Sequence, residues 1–596
     1  MIPQKYFQAQ QGKYQELAKS SQNAATRVAG IRFASFIIAI PVFVYFINER
    51  ELTMALLVTV FYLLLFIILV KKHNRLKFTR DQYKYLATIN KEELLRLEGD
   101  FSTIKNGNEF SEKDHPYEED LNILGSHSIY QMLNRTSTYP GQKLLADRLM
   151  GNKTVKDLAL FQQSVKEMAQ MPELMQTYQA LGRHVEASRN DFAQFRSWLS
   201  HPATVTNFPG VKYWIYLLPI LFLIGLAIAS LFSITYYITM PIVITNLVLL
   251  YREHKYAQEV VAKTSASLVM LKSFIRHIEL IESESFSTNY LKSLAGSFNH
   301  EGNQAMQEIG RIAKLLEHLQ ARNGMLHPLI NIPFLLDFHW LSRIEVWQEK
   351  NVLHINRWFD SLADIEVLIS LAGQSFANSK WAMPEFSSIP YHFDALKLAH
   401  PLIHPTKRIA NDFNMRDKGE VILLTGPNMA GKSTFLRAVA VNLILAKMGS
   451  VVCANRFTLN PEMMVFTGMR IKDDLSENIS SFYAELARIK LLLKMVNEGE
   501  PVIYFLDEIL KGTNSADRHK GAEALMKQLS KSDVSGFVST HDLALGELAK
   551  QMSSVRNFSF ESTIENGEIK FDYTIRKGIC QSFNACELMR QMGIEV

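Results

Sequence analysis

Gly426-Pro427-Asn428-Met429-Ala430-Gly431-Lys432-Ser433 sits between an apolar run at 420–425 and a helix-like run at 434–440. Strand, loop and helix in that order form the setting in which a Gly-x4-Gly-Lys-Ser loop wraps a polyphosphate. Gly426 and Gly431 free the backbone to turn its N–H groups inward. Lys432 brings charge to the β and γ oxygens, and the Ser433 hydroxyl suits Mg²⁺. The helix opening at Thr434 adds the partial positive charge of its N-terminus. The candidate ATP-binding segment is therefore Gly426, Pro427, Asn428, Met429, Ala430, Gly431, Lys432, Ser433 and Thr434, with ATP and Mg²⁺ as the implied cofactors.

Two further strand ends carry chemistry in the expected order. Val502-Ile503-Tyr504-Phe505-Leu506 is apolar without alternation, the pattern of a strand buried on both faces, and it ends in Asp507-Glu508. Asp507 is the candidate partner of Ser433 at Mg²⁺, and Glu508 the candidate base for the attacking water. The run 534–540 closes on His541, placed to donate to a γ-phosphate and to sense it. Lys432, Glu508 and His541 are thus the candidate catalytic residues of an α/β P-loop ATPase domain with a parallel sheet flanked by helices.

The run 425–434 resembles, almost letter for letter, the phosphate loop of the MutS mismatch-repair ATPases, with Ala430 where that family usually has glycine. Asp507-Glu508-Ile509-Leu510-Lys511-Gly512-Thr513-Asn514-Ser515 is similar to the family's Asp-Glu-Ile-Gly-Arg-Gly-Thr-Ser-Thr segment. Asp473-Asp474-Leu475, Ser480-Ser481-Phe482 and Glu485 resemble its signature segment, with Asn478 where a glycine is usual. The resemblance implies an ABC-type ATPase domain and a homodimer in which Ser480, with Ser481 beside it, caps the ATP of the opposite subunit. Weaker likeness at 120–145 and 360–386 implies an all-α core and a lever helix returning to the ATPase. The family also implies DNA, duplex or branched, as a partner.

Composition and hydropathy add what the motifs do not. A chain of 596 residues exceeds one core, and a net charge of +5 does not by itself predict nucleic-acid binding. Cys453, Cys580 and Cys586 lack metal-site spacing and suit a reducing compartment. Runs 31–47 and 54–70 are almost wholly apolar, and 214–232 with 234–250 form a second pair. Each approaches the roughly 17–25 residues that cross hydrocarbon. Arg27 and Arg32, Lys71, Lys72, Arg75 and Lys77 flank the first pair; Lys212, Arg252 and Lys255 flank the second. That charge places both ends of each hairpin inside: a multi-pass protein of the inner (cytoplasmic) membrane with core and ATPase in the cytosol. The cluster at 71–80 reads as an inside-facing anchor on the lipid bilayer, with DNA as the other partner such a cluster suits.

The expected organisation is a first hairpin at 1–80, helical core at 81–210, second hairpin at 211–254, core and lever at 255–386, and ATPase at 387–596. The family's amino-terminal mismatch-reading wedge and its carboxy-terminal dimerisation tail have no counterpart in the sequence. Direct mismatch recognition is therefore not expected, and pairing is expected to draw on ATP and the bilayer. Two function classes stand open. One is a membrane-anchored MutS-like ATPase closing around DNA; the other is a membrane mechanochemical switch acting on a protein or lipid. A transporter is weaker, because four spans per chain give a thin pathway and the single charge in the runs, Arg32, lies at an edge rather than on a substrate route.

Overall fold

The computed structural model describes residues 2–185, 189–201, 204–205, 210–232, 235–300, 303–324, 327–470, 481–565 and 568–581. Its first two helices, α1 (Pro3–Asn48) and α2 (Leu52–Leu97), are each 46 residues long. At 1.5 Å per residue each reaches roughly 70 Å. They fold back on one another, and contacts fix the register along their length. Phe36 lies against Tyr62, His73 Nδ1 pairs with the Ala25 carbonyl at 3.2 Å, Arg80 donates to Gln22, and Tyr14 stacks on Tyr83.

Each of these helices has two unlike halves. Over 31–47 and 54–70 large apolar side chains stand outward, with Phe33 67% and Phe61 69% exposed. Toward the open end Phe7, Tyr14, Ala18, Leu86 and Ile89 are buried instead. Among the described residues three helices are long and apolar enough to cross a membrane: α1, α2 and the stretch Val211–Ile228.

That third stretch lies in α4 (Val211–Phe232), after α3 (Pro172–Gly182) of the core. The fourth apolar run falls in α5 (Thr235–Thr264). The fully buried Asn246 of α5 donates at 2.8 Å to the carbonyl of Ile332 in α6 (His327–Phe334). A left-handed Leu335 (φ 50°) then turns the chain into α7 (Leu336–Ala377), a helix of 42 residues that includes most of the segment expected to be the lever. Asn331 and Asp337 bond each other across this turn, Nδ2 to Oδ2 and N to Oδ1, both at 3.0 Å.

The core packs along α7. Phe359 is ringed by Phe192, Phe195 and Phe274. Further along, Arg135 joins three elements. Its guanidinium makes two 2.8 Å bonds to Glu93 of α2, while its N–H donates to Ser370 Oγ at 3.1 Å on α7. Gly373 makes this approach possible, because a Cβ there would stand 2.5 Å from Arg135 Cδ and Nε. Burial acts to raise the Glu93 pKa, but Arg135 and Arg96 outweigh it and hold the carboxyl below its usual value. Both Glu93 and Arg135 are at most 4% exposed. Arg135→Ala strands most of a buried charge and is expected to destabilise the core by about 3–5 kcal/mol. A thermal-melting midpoint unchanged from wild type would contradict that.

Beyond α7 the chain becomes α/β. A small sheet has the order β1 (Glu385–Phe386), β5 (Arg456–Leu459), β2 (Phe393–Leu398), β3 (Asn411–Met415). The main sheet, six-stranded among the described residues, runs β10 (Glu568–Lys577), β9 (Val555–Glu565), β4 (Val421–Thr425), β8 (Ser535–Thr540), β7 (Val502–Asp507), β6 (Met464–Gly468). Only the β9–β10 pair is antiparallel. β4, β7 and β8 are buried at every position, as their non-alternating apolar runs require. Helices α8 (Lys432–Lys447), α9 (Ser481–Asn497) and α10 (Ser515–Ser530) flank them.

Candidate functional site

Strand register assembles the site. Thr425 at the end of β4 pairs with Thr540 at the end of β8, and Ser539 of β8 pairs with Asp507 at the end of β7. The loop 426–433, Asp507-Glu508 and His541 therefore leave the carboxyl ends of three adjacent parallel strands. That edge of an open α/β sheet is where ligands bind.

The loop depends on its glycines. Gly426 has φ 146° and runs so close to β9 that a Cβ would stand 2.4 Å from the Phe560 carbonyl oxygen. Met429 takes φ 72° and points outward, while Ala430 is fully buried, so the methyl that departs from the family pattern is accommodated. Lys432 is 4% exposed and its Nζ donates to the carbonyls of Gly426 at 2.7 Å and Pro427 at 3.0 Å. Burial lowers its pKa, opposed by Glu508 and Asp507. Ser433 and Thr434 occupy the first turn of α8.

Opposite the loop, Asp507 Oδ1 accepts from Ser539 Oγ. Glu508 is left-handed (φ 47°) and its Oε2 pairs with Lys511 Nζ at 2.8 Å. Burial acts to raise the Glu508 pKa, but the Lys511 bond and charge, with Lys432 and His541, outweigh it and hold the carboxyl below its usual value. His541 Nδ1 is buried and makes no hydrogen bond. A polyphosphate with a hard cation suits this set: one ammonium, one hydroxyl and one carboxylate beside the loop. Among the described residues no cluster of three or more His, Cys, Asp or Glu could hold a metal by itself. A cation here would share its shell with phosphate and water.

Tyr573 and Asp120 were not foreseen as contributors, and Glu485, known from the signature segment, gains a contact. The Tyr573 ring, 44% exposed, lies against Gly431; a Cβ there would meet its Cδ1 at 3.0 Å. Tyr573 has φ 54° and its carbonyl accepts from Asn411 Nδ2 at 3.0 Å. Glu485 of α9 accepts from the N–H of Leu510 and, at 3.1 Å, of Lys511, so α9 grips the turn after Glu508. Asp120, from the core, accepts from Thr467 Oγ1 at 2.6 Å, Met469 N at 3.0 Å and Arg470 N at 2.8 Å. Its carbonyl takes the Arg437 Nε of α8 at 3.0 Å. Core and phosphate-loop helix are thereby joined.

The segment 471–480, with Asp473, Asp474, Leu475, Asn478 and Ser480, lies outside the described residues, as does Cys586. Ser481 opens α9.

The family model for MutS domain V matches residues 422–594. The DNA mismatch repair protein MutS of Thermotoga petrophila is 30% identical over 252 residues, 42% of this chain and 31% of that protein. The DNA mismatch repair protein MutS of Chlamydia pneumoniae is 32% identical over 241 residues, 39% of this chain and 29% of that protein. The chain spans about a third of the length of these curated relatives.

Proposed function

This chain is a MutS-family protein through its domain V, and on that premise we propose a membrane-anchored ATPase that turns ATP hydrolysis into clamp-like closure of paired subunits on DNA. The observation that carries this reading is the convergence of loop 426–433, Asp507-Glu508 and His541 on three neighbouring strand ends. In it, residues 387–596 form the ATPase domain, and 81–210 with 255–386 the core and lever. The hairpins at 1–80 and 211–254 seat the chain in the inner membrane, with the catalytic part in the cytosol.

The roles follow from position. Backbone N–H groups of 428–434 and the Lys432 ammonium bind phosphate oxygens. Ser433 and Asp507 would hold Mg²⁺, which would supply positive charge against the phosphoryl oxygens. Glu508 takes the proton of the attacking water after exchanging its Lys511 partner. His541, with Nδ1 unpaired, registers the γ-phosphate, and Tyr573 offers an aromatic face to the base. The test is hydrolysis by the detergent-solubilised protein with and without duplex or branched DNA. Stimulation by DNA is expected.

A second reading, a switch acting on a protein or lipid, is favoured by one observation. α6, bonded to α5 through Asn246, abuts the first turn of the lever. The lever end farthest from the ATPase thus meets the second hairpin. Hydrolysis that ignores DNA, with no duplex binding at any salt concentration, would select this reading.

Pairing of ATPase domains carries its own prediction. A phosphate loop leaves one side of the γ-phosphate open to water, and a helix N-terminus bearing a hydroxyl closes it. We assign that role to Ser480 of the opposite chain, ahead of α9. Mixed Ser480→Ala and Lys432→Ala chains are expected to recover part of the activity, because one composite site then has both wild-type halves. Activity equal to the sum of the separate variants, with mixed dimers demonstrated, would sink the shared site.

A further inference from the structure

In α1 no acidic residue lies between Glu16 and Glu49, and in α2 none lies between Glu51 and Asp81. Within those limits Arg27, Lys71, Lys72, Arg75 and Lys77 are exposed, immediately beyond the apolar run that ends at Val70. The antiparallel register, in which His73 meets Ala25, sets Arg27 level with this cluster, while Arg32 stands further into the apolar run, over the Phe66 ring at 5.9 Å. Lys71, Lys72, Arg75 and Lys77 ring α2 as a one-signed band, and a band of this kind, continuous with a membrane-length apolar surface, is complementary to anionic headgroups. Its position against the apolar run favours lipid over nucleic acid.

From that band α2 continues to Leu97 without a proline or glycine, a single rod of roughly 35 Å from Lys71 to Glu93. Its far end is fixed. Asn90 and Gln176 exchange two amide bonds of 3.0 Å, and Glu92 pairs with Arg183. Glu93 holds Arg135, which in turn holds Ser370 of the lever. The partner helix reaches the same place. Tyr6 and Phe7 of α1 pack edge-on against Phe376, with ring centroids 5.2 and 5.6 Å away. Just past the lever, Ala382 bridges to Val452, beyond the end of the phosphate-loop helix.

We infer that an anionic phospholipid surface docked on the Arg27, Lys71, Lys72, Arg75 and Lys77 band acts, through the first hairpin, on the ATPase-proximal end of the lever. This rests on the membrane-anchored ATPase reading and adds a regulator to it. The bilayer is here a ligand as well as an address.

The full chain in nanodiscs of phosphatidylcholine, with and without one-third phosphatidylglycerol, tests this. Amide exchange over 366–377 is expected to slow roughly threefold or more in anionic discs, and the ATP hydrolysis rate to change with it. Replacing Lys71, Lys72, Arg75 and Lys77 together by Gln is expected to remove both responses. Phe7→Ala keeps the basic band and is expected to keep disc association but weaken the response. Equal exchange in the two lipids overturns the inference, as does a lipid response that survives the fourfold Gln change. A duplex DNA fragment that replaces the lipid effect in neutral discs also overturns it, giving the band to nucleic acid. Lipid-dependent exchange without hydrolysis in either disc supports the inference while failing the ATPase reading.

Discussion

Glu508→Gln is expected to bind Mg-ATP with near wild-type affinity and to lose hydrolysis by about 10²–10⁴-fold, the usual contribution of a positioned general base. The amide keeps the shape of the side chain but cannot accept a proton from water. Binding should survive because the phosphate contacts come from the loop and Lys432, on a different strand end. The change also removes the charge that Lys511 now meets at 2.8 Å. Slightly tighter nucleotide binding is therefore compatible, since the freed Lys511 ammonium lies near the site. Single-turnover hydrolysis beside equilibrium nucleotide binding separates the two effects. Hydrolysis at the wild-type rate would remove Glu508 from the chemistry.

Lys432→Ala is expected to act on binding instead. A charge-assisted hydrogen bond is worth about 1.5–3 kcal/mol, so affinity for ATP should fall roughly 10–100-fold. The Lys432 ammonium donates to the Gly426 and Pro427 carbonyls, so those acceptors lose a donor in the variant and the loop itself should loosen. Lys432→Arg is not a conservative control, because a planar guanidinium fork replaces a point charge at a side chain only 4% exposed. Titration with a fluorescent ATP analogue measures the loss. Unchanged affinity would mean that the loop holds no phosphate.

The parts of this molecule legible in its sequence are those whose signal is local. Loop 426–433 carries its own glycines and lysine, and the runs at 420–425, 502–506 and 534–540 are apolar because both faces of β4, β7 and β8 are covered. The apolar runs of α1 and α2 announce themselves by length. What sequence does not reveal is how far those helices continue. Below Val70 the pattern becomes that of any amphipathic helix, and Leu86, Ile89 and Glu93 look no different from surface positions until Ala180 and Arg135 meet them. Tyr573 escapes for another reason. Its place over Gly431 comes from the pairing of β10 with β9 and of β9 with β4, a product of register between distant segments. Asp120 is similar: an acidic residue in a loop, indistinguishable from a solvated one until Thr467, Met469 and Arg470 close around it.

The shared length of α1 and α2, half apolar surface and half core, dictates an order of manufacture. Both helices leave the ribosome before Arg135, Gln176, Ser370 or Phe376 exists. At about 5–20 residues per second, tens of seconds separate Leu97 from Phe376. During that interval a membrane-anchored chain has the bilayer for its outer halves, while Phe7, Leu86 and Ile89 wait for partners not yet made. In the membrane-anchored protein proposed above, insertion is thus the first folding event, and the rest of the chain assembles on two posts already standing.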